Sequence, residues 1–555
     1  MIGLRRKVEY FRRYRHILSV LFKYGFGHVV EKLNVEYYIE SGKKILKIKS
    51  KEGKEQKLKG AERLKLAFEE LGPTFIKFGQ ILSTRPDLIP MDYIEQLKEL
   101  QDKIEPIEFG EIEEILNLNY GEDYKKVFKK VEKEVLGSAS IGQVHKALLN
   151  DGTEVVIKVK KPDTDHIVEL DISILYNIAV IIEKKIPELA YYNPVKLVNE
   201  FSKSIKKEMD FTLEGKNNDI IRMNFKKFKN FKVPKIYWDY TNEDILVMEF
   251  VKGKKLYDVL DGNLENGEFL AKLGANIFLK QILEDGFFHA DPHPGNIFLV
   301  GKDTIVFIDY GMVGTLDEEA QENMAEILEG IVLKDIVKIL NAFKNFDTLP
   351  DDLNERALKS EMRELLEKYY NTSLKNINIG KLIYEMSNIV IKYKIYVPAD
   401  FFLMGKTLMT IDGIGRALYP DFDMIEVAKP FVKKLLIRKL SPERVGKKML
   451  KSIKNYDNFF EGFPINMGVL FEKLKKDKIG IEIKSKDVKE FNATIDKTIN
   501  KLSTSIIIAA IIIGSSMLIQ SRTGFSIHGY SILGISGFVI AGFFGMVLVI
   551  DTFKS

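Results

Sequence analysis

The chain has 555 residues, more than one hydrophobic core usually organises, so two or three units are expected. Its 84 basic and 79 acidic residues leave a formal charge of only +5, a mixed surface without the footprint of a nucleic-acid binder, and no nucleic-acid partner is expected. The lack of cysteine excludes disulfides, thiol catalysis and zinc–thiolate sites, and fits a chain that faces a reducing cytosol.

The first residues carry no cleavable secretory pattern, because the apolar run Ile17 to Phe22 is short and no small-residue cleavage site follows it. Residues 4 to 35 read as a basic amphipathic helix or helix pair. Leu4, Val8, Phe11, Tyr14, Leu18 and Leu21 recur at three- and four-residue steps, with Arg5, Arg6, Lys7, Arg12, Arg13 and Arg15 between them. Such a helix either lies on an anionic membrane surface or packs on its own domain with a solvated basic face. Residues 40 to 60 are rich in Lys, Gly and Glu and read as a linker. From Gly60 to Asp102 the pattern is helical, broken by the loop Ser83 to Pro90, and contains Lys77-Phe78-Gly79-Gln80, which sets Lys77 and Gln80 on one helical face.

Period-two sequence follows over Val127 to Leu136, Val144 to Leu149 and Glu154 to Lys160. The first two runs flank Gly137-Ser138-Ala139-Ser140-Ile141-Gly142, a turn of small residues able to approach phosphates closely and offer backbone N–H groups. The third run places Lys158 inside an apolar strand, where an ammonium needs a partner unless the strand lies at a solvent-facing edge. The partner expected is Glu214, in the helical stretch Asn193 to Met223, which also carries Glu208 and Asp210. Phe231 to Tyr237 and Ile245 to Phe250 supply two more strands, and Glu249 to Gly253 suits a hinge whose backbone meets an adenine edge.

A helix over Gly267 to Gly286 delivers the chain to Phe288-His289-Ala290-Asp291-Pro292-His293-Pro294-Gly295-Asn296-Ile297, then to Ile305-Val306-Phe307-Ile308-Asp309-Tyr310-Gly311. An acid in an H-x-D setting, an Asn five residues on, and an Asp-aromatic-Gly after a short strand together look like phosphoryl-transfer machinery. In that template the first Asp orients the nucleophile's proton, while Asn and the second Asp hold Mg²⁺ on nucleotide phosphates through hard oxygen donors. Two plainer alternatives are a loop whose Asp and Asn merely cap local backbone, and a metal cluster of His289, Asp291 and His293. Helical patterns then occupy Leu316 to Phe346, Leu353 to Tyr370, Ile379 to Lys394 and Asp400 to Tyr419, so a helical lobe follows a strand-rich one. Residues 431 to 500 read as tail helices and linker.

Leu502 to Ser521 is uncharged, and its twenty residues would span about 30 Å as a helix, the thickness of a bilayer's hydrocarbon core. Ser531 to Ile550 is a second uncharged span, with Gly537, Ala541 and Gly545 four apart, a face smooth enough for close helix contact and for a homodimer. Lysines at 484, 486, 489, 497 and 501 precede the pair, so a two-helix C-terminal membrane anchor with its large domain on the cytoplasmic side is expected.

Taken together, these residues resemble the UbiB-type atypical kinase family, the aarF-domain kinases related to the mitochondrial coenzyme Q kinases. The motifs that carry the resemblance are Lys77-x-Gly79-Gln80 with Ser83-x-Arg85-Pro86-Asp87-Leu88; Ala139-Ser140-Ile141-Gly142-Gln143-Val144-His145; Glu208-x-Asp210; and His289-Ala290-Asp291-Pro292-His293-Pro294-Gly295-Asn296. The resemblance implies an α+β, protein-kinase-like two-lobed fold with an N-terminal helical extension over residues 60–122, an N-lobe over 123–253, a C-lobe over 254–430 and the membrane hairpin over 501–550. It implies ATP and Mg²⁺ as cofactors, with Lys158 paired to Glu214, Asp291 as catalytic-loop acid, and Asn296 and Asp309 as metal ligands. Ser138, Ala139, Ser140 and Ile141 would form the nucleotide loop. Gly137 and Ser138 stand where that family is richer in alanine, which leaves ATP against ADP open. The helix of Lys77, Gly79 and Gln80 would fold over the active site and regulate it, engaging Glu208 and Asp210. The implied activity is a membrane-anchored kinase or ATPase that handles prenylphenol or quinone intermediates beside quinone-biosynthesis enzymes. A small-molecule kinase and a nucleotide-sensing scaffold are the alternatives.

Overall fold

A computed structural model of the chain describes residues 2–27, 58–85, 88–100, 105–121, 124–186, 193–260, 264–333, 335–345, 350, 353–370, 379–393, 395, 399–439, 503–518, 526–527 and 530–554. The expected tail over 431–500 falls almost wholly outside these residues, as do most of the linker over 40–60, Pro86, Asp87, His528 and the lysines before the apolar spans. The chain forms two compact units, Met1–Val445 and Gly446–Ser555.

The first unit begins with α1 (Ile2–Lys23), α2 (Gly60–Leu71), α3 (Pro73–Leu82), α4 (Met91–Leu97) and α5 (Phe109–Tyr120). Helix α1 packs on its own domain. Tyr14, Ile17, Leu18 and Val20 are buried, whereas Val8 and Phe11 face solvent. The Arg13 guanidinium forks onto the fully buried Asp171, with Nε 2.7 Å from Oδ1 and Nη2 2.9 Å from Oδ2, and Nη2 also donates to the Leu71 carbonyl at 2.7 Å. The α2–α3 corner follows from Leu71-Gly72-Pro73. Gly72 closes α2 at φ +93°, a conformation that costs glycine little, and Pro73 opens α3 where its missing N–H is not needed.

Strands β1 (Phe128–Ser138), β2 (Gly142–Leu149), β3 (Glu154–Lys160) and β5 (Ile245–Glu249) form an antiparallel sheet in the order β1-β2-β3-β5. On one face Val155, Ile157 and Val159 join Phe128, Leu149, Ile245 and Val247 in a core against α5. Period two therefore sends Lys158 to the opposite face, and β3 is an interior strand, so the solvent-edge alternative for Lys158 does not hold. That face is covered by α6 (Thr164–Lys185), α7 (Pro194–Glu208) and α8 (Phe211–Asn224) together with the N-terminal helices, in one shared apolar cluster.

The stretch read as one helix from Asn193 to Met223 is two. It breaks at Met209, because the Asp210 side chain accepts the Thr212 N–H at 2.9 Å and so caps α8 instead of continuing α7. The strand expected over Phe231 to Tyr237 is only β4 (Phe231–Lys232) plus a bridge from Ile236 to Met248, and β4 pairs with a different sheet. That second sheet, in the order β4-β9-β8-β6, contains β6 (Lys254–Lys255), β8 (Ile297–Val300) and β9 (Thr304–Phe307).

Helix α9 (Gly267–Leu279) runs into a π-helical turn at Lys280–Asp285, and β7 (Phe287–His289) then pairs antiparallel with β10 (Val313–Thr315). Helices α10 (Glu318–Leu333), α11 (Ile336–Asn345), α12 (Glu355–Tyr370), α13 (Ile379–Lys392), α14 (Ala399–Leu418) and α15 (Met424–Lys439) complete the unit. Its largest core joins Phe278, Leu279 and Ile282 to Phe288, Ile297, Phe307 and Tyr310, and to Met404, Leu408 and Ile411 of α14. This is a kinase-like fold with a strand-rich first lobe and a helical second lobe.

In the second unit, α16 over residues 503–518 and α17 (Ile532–Lys554) pack together, with Ser515 and Ala541 buried. A Cβ on Gly537 would collide with the Ser515 hydroxyl, whereas one on Gly545 would meet nothing. Gly537 and Ala541, expected to serve a homodimer, are thus taken up inside the hairpin. Among the described residues no helix is long and apolar enough to cross a membrane. The described helix α16 is short, and the described side chains of α17 end at Val547.

Candidate active site

The site is assembled from the inner face of β3, the start of α8 and the two loops that flank the β8–β9 hairpin. Lys158 Nζ lies 2.8 Å from Glu214 Oε2 and 3.7 Å from Asp309 Oδ1. Glu214 comes from the first turn of α8 and is buried to 5% exposure. Phe211, on the same turn, sits under the ammonium with 5.3 Å between Nζ and its ring centre. Asp309 follows β9 in the left-handed region at φ +63°, a conformation Asp tolerates better than most residues, and its Oδ1 accepts the Gly311 N–H at 3.2 Å. Its carboxylate nonetheless keeps 46% of its surface open.

These charges shape one another. Burial pushes the Glu214 carboxyl up to about 7 against the pull of Lys158, and the charges of Asp309 and Glu208 add to the rise. Lys158 is buried as well, yet the carboxylates around it hold its ammonium above the ordinary lysine value. The Lys158 charge, with a contribution from Lys77, keeps Asp309 below the usual carboxylate range against the partial desolvation of its side chain. Asp309 is therefore an ionised, accessible oxygen donor.

Asn296 reaches the same place through the β8–β9 hairpin. Its carbonyl accepts the Ile308 N–H at 2.9 Å, so Asn296 and Asp309 stand beside each other at the open end of that hairpin. Among the described residues no group of three His, Asp or Glu side chains is arranged to hold a metal. The imidazoles expected in the alternative cluster bind their own loop instead, His289 Nδ1 accepting the Asp291 N–H at 3.3 Å and His293 Nδ1 the Gly295 N–H at 3.1 Å. An amide oxygen and one carboxylate suit Mg²⁺, which commonly takes one or two protein oxygens and completes its octahedron with phosphate and water.

Asp291 makes no local cap. Its Oδ1 accepts from Lys406 Nζ of α14 at 3.0 Å. Burial raises the Asp291 carboxyl, but the Lys406 ammonium outweighs that and holds it below the usual range. The peptide before it is fixed from beneath. The buried Gln281, on the π-helical turn, accepts the His289 N–H at 2.9 Å, and Ala290 N–H donates to the Met312 carbonyl at 3.0 Å. Neither Lys406 nor Gln281 was among the residues singled out from sequence. The one signal was that Pro292-His293-Pro294-Gly295 offers Asp291 no lysine or arginine.

The turn from Ser138 to Ile141 leads into Gly142, which packs against Lys158. A Cβ on Gly142 would meet Phe211 Cζ at 3.0 Å and Lys158 Cγ at 3.5 Å, and the Ser138 and Ser140 hydroxyls are buried without a hydrogen-bond partner among the described residues. Unsatisfied hydroxyl donors in this turn fit a phosphate-bearing ligand. Ala139 closes the turn by donating to the Gly142 carbonyl at 2.8 Å. Ile141 is buried with Phe75 and Phe78 of α3, so the turn and the N-terminal extension share one core.

Lys77 Nζ pairs with Glu208 Oε1 at 2.5 Å. Gln80 does not join it: its amide donates to the Leu100 carbonyl at 3.2 Å, and Asp210 is the cap of α8. Gly79 faces Leu100 and Phe68. The Glu249 carboxylate accepts the Lys235 N–H at 3.1 Å and its own N–H donates to the Lys235 carbonyl at 2.8 Å, so neither of these groups is open to an adenine.

A kinase-like protein is the class that this fold and this set of residues define. Residues 99–343 match the ABC1 atypical kinase-like domain, 362–423 the UbiB helical domain, and 486–554 the ABC1/UbiB kinase-like C-terminal domain. The chain is 34% identical to a probable protein kinase UbiB of Cellvibrio japonicus over 76% of this chain and 77% of that one. It is 32% identical to an uncharacterised protein encoded in the hydrogenase 1 5' region of Clostridium pasteurianum, over 98% and 99% of the two chains. Among solved structures it is similar to Rv3197 of Mycobacterium tuberculosis, determined in complex with erythromycin, with a TM-score of 0.47 at 19% identity, over 64% of this chain and 90% of that one. The chain belongs to the UbiB family of ABC1-type atypical kinases.

Proposed function

We propose that the chain is a membrane-anchored ATPase or kinase that uses Mg-ATP to handle prenyl-lipid intermediates in ubiquinone or related quinone synthesis. The observation that carries the reading is the convergence of Lys158, Glu214 and Asp309 with the Asp291–Asn296 loop. Asn296 and Asp309 would hold a magnesium ion, which would supply neutralisation of the nucleotide's phosphate charge. Lys158, fixed by Glu214, orients the nucleotide's phosphates, the buried serines of the 138–141 turn donate to them, and Asp291 takes the proton of the attacking hydroxyl or water. Helix α3 is tied to Glu208 through Lys77, and if it covers the site as the family resemblance implies, an extended peptide is excluded and a small or lipid acceptor is favoured over a protein.

The anchor is part of the same proposal. The α16–α17 hairpin exposes Leu533, Val539, Phe543 and Met546 at 65–68% of their surface, an apolar exterior that water disfavours. Lysines precede it, which sets the catalytic unit on the cytoplasmic side. The test is phosphate release from Mg-ATP by the full chain, with and without anionic vesicles carrying a prenylphenol, beside an Asp309→Asn variant. Release that rises with lipid and falls at least a hundredfold in the variant is expected. Release equal in the two proteins would sink the reading, and ATP binding without turnover would mark a nucleotide-sensing scaffold.

A further inference from the structure

Helix α14 lies within the segment matching the UbiB helical domain, yet it touches the catalytic loop at two points and strand β10 at a third. Asp400 Oδ1 accepts the Thr315 N–H at 3.5 Å, the buried Thr407 hydroxyl donates to the Ala290 carbonyl at 3.3 Å, and Lys406 Nζ donates to Asp291 Oδ1 at 3.0 Å. The cation that faces Asp291 thus comes from 115 residues away. The contact is not sealed, since the Lys406 and Asp291 side chains keep 25% and 44% of their surface. Lys98, the residue that follows α4 in the extension, is near enough that the charge of Lys406, after burial, lowers its ammonium's value. A carboxylate meant to accept a proton is compromised while an ammonium holds it, and an accessible ammonium beside a phosphate site is a ready partner for anionic oxygen.

We propose that Lys406 is a phosphate-contacting residue: it holds Asp291 while no anion is bound and moves to the terminal phosphate of a bound nucleoside triphosphate, freeing Asp291 as the base. In the step, the acceptor's O–H proton passes to Asp291 and the acceptor oxygen bonds phosphorus. The bond from phosphorus to the bridging oxygen breaks, and its electron pair leaves on the diphosphate. Lys406 donates hydrogen bonds throughout and exchanges no electron pair. The inference rests on the nucleotide reading above and adds a residue from the helical domain to that site.

The experiment compares the full chain with Lys406→Met and Lys406→Arg, measuring Mg-ATP and Mg-ADP affinity and the pH profile of phosphate release. Lys406→Met should weaken Mg-ATP about tenfold while leaving Mg-ADP within twofold, since only the triphosphate reaches the lysine. Its turnover should fall about a hundredfold, and the acidic limb of its kcat/KM profile, which reports the chain before nucleotide binds, should move to higher pH as Asp291 loses its cation. Lys406→Arg should keep the preference for ATP, and it carries the test if the methionine variant fails to fold. Equal weakening of ATP and ADP, or an unmoved profile, would reduce Lys406 to a strut between lobes. A wild-type chain that binds no Mg-ATP fails the functional reading itself and takes this inference with it, an outcome separate from one in which wild type binds and Lys406→Met matches it.

Discussion

Glu214 is an acid in a place that disfavours its charge. It is almost fully buried, it faces Asp309 and Glu208, and one ammonium compensates it. Its folded value of about 7 lies above its ordinary 4.5, so the folded state holds its proton more tightly than the unfolded one. The stability that follows is fully present below pH 4.5 and is lost as pH rises through about 7, a change of roughly 2–4 kcal/mol from the size of the shift. Chemical denaturation from pH 5 to pH 8 should show wild type losing stability across that window. Glu214→Gln should be less stable overall, because Lys158 loses a partner, but should lack the slope. A slope that survives the substitution would place the titration elsewhere. The pairing of Lys158 with Glu214 was legible from sequence, because a lysine in an apolar strand requires a carboxylate. That Asp309 shares the same ammonium was not, since only the path of the β8–β9 hairpin brings it there.

Helix α3 was also legible as an element, but the contacts of Gly79 and Gln80 were not. Lys77 meets Glu208 as expected, whereas Gln80 turns to the Leu100 carbonyl and Gly79 lies where two packed side chains leave no room. A Cβ at Gly79 would stand 2.8 Å from Phe68 Cδ2 and closer still to Leu100 Cδ1, and both neighbours are buried. The glycine is therefore explained by helix packing before any regulatory role. Gly79→Ala should lower stability by about 1–3 kcal/mol through overpacking, read as a lower thermal midpoint. An unchanged midpoint would mean that the extension yields freely at this point. Helix α1 teaches the same lesson: its basic periodicity allowed a membrane surface or a domain face, and the Arg13 fork onto Asp171 chose the latter for its apolar side. Nothing in local periodicity could choose, because both environments bury the same stripe.

At the scale of the molecule, the kinase-like unit ends at Val445 and the apolar hairpin lies in a unit of its own. A chain ending at residue 445 should keep a cooperative unfolding transition and bind Mg-ATP, but should no longer float with anionic vesicles. Flotation of the truncated chain would transfer membrane binding to the first unit, where Val8 and Phe11 of α1 are exposed beside Lys7 and Arg12. The sequence by itself determined the elements whose signal is local. The period-two strands, the His289–Asn296 and Asp309–Gly311 motifs and the uncharged spans all follow from neighbouring residues. Tertiary structure alone decided which charges meet: Lys406 with Asp291, Gln281 with the His289 peptide, and Asp309 with Lys158. Coulombic and hydrogen-bond partners depend on distance in space, and no spacing along the chain records a contact made across 115 residues.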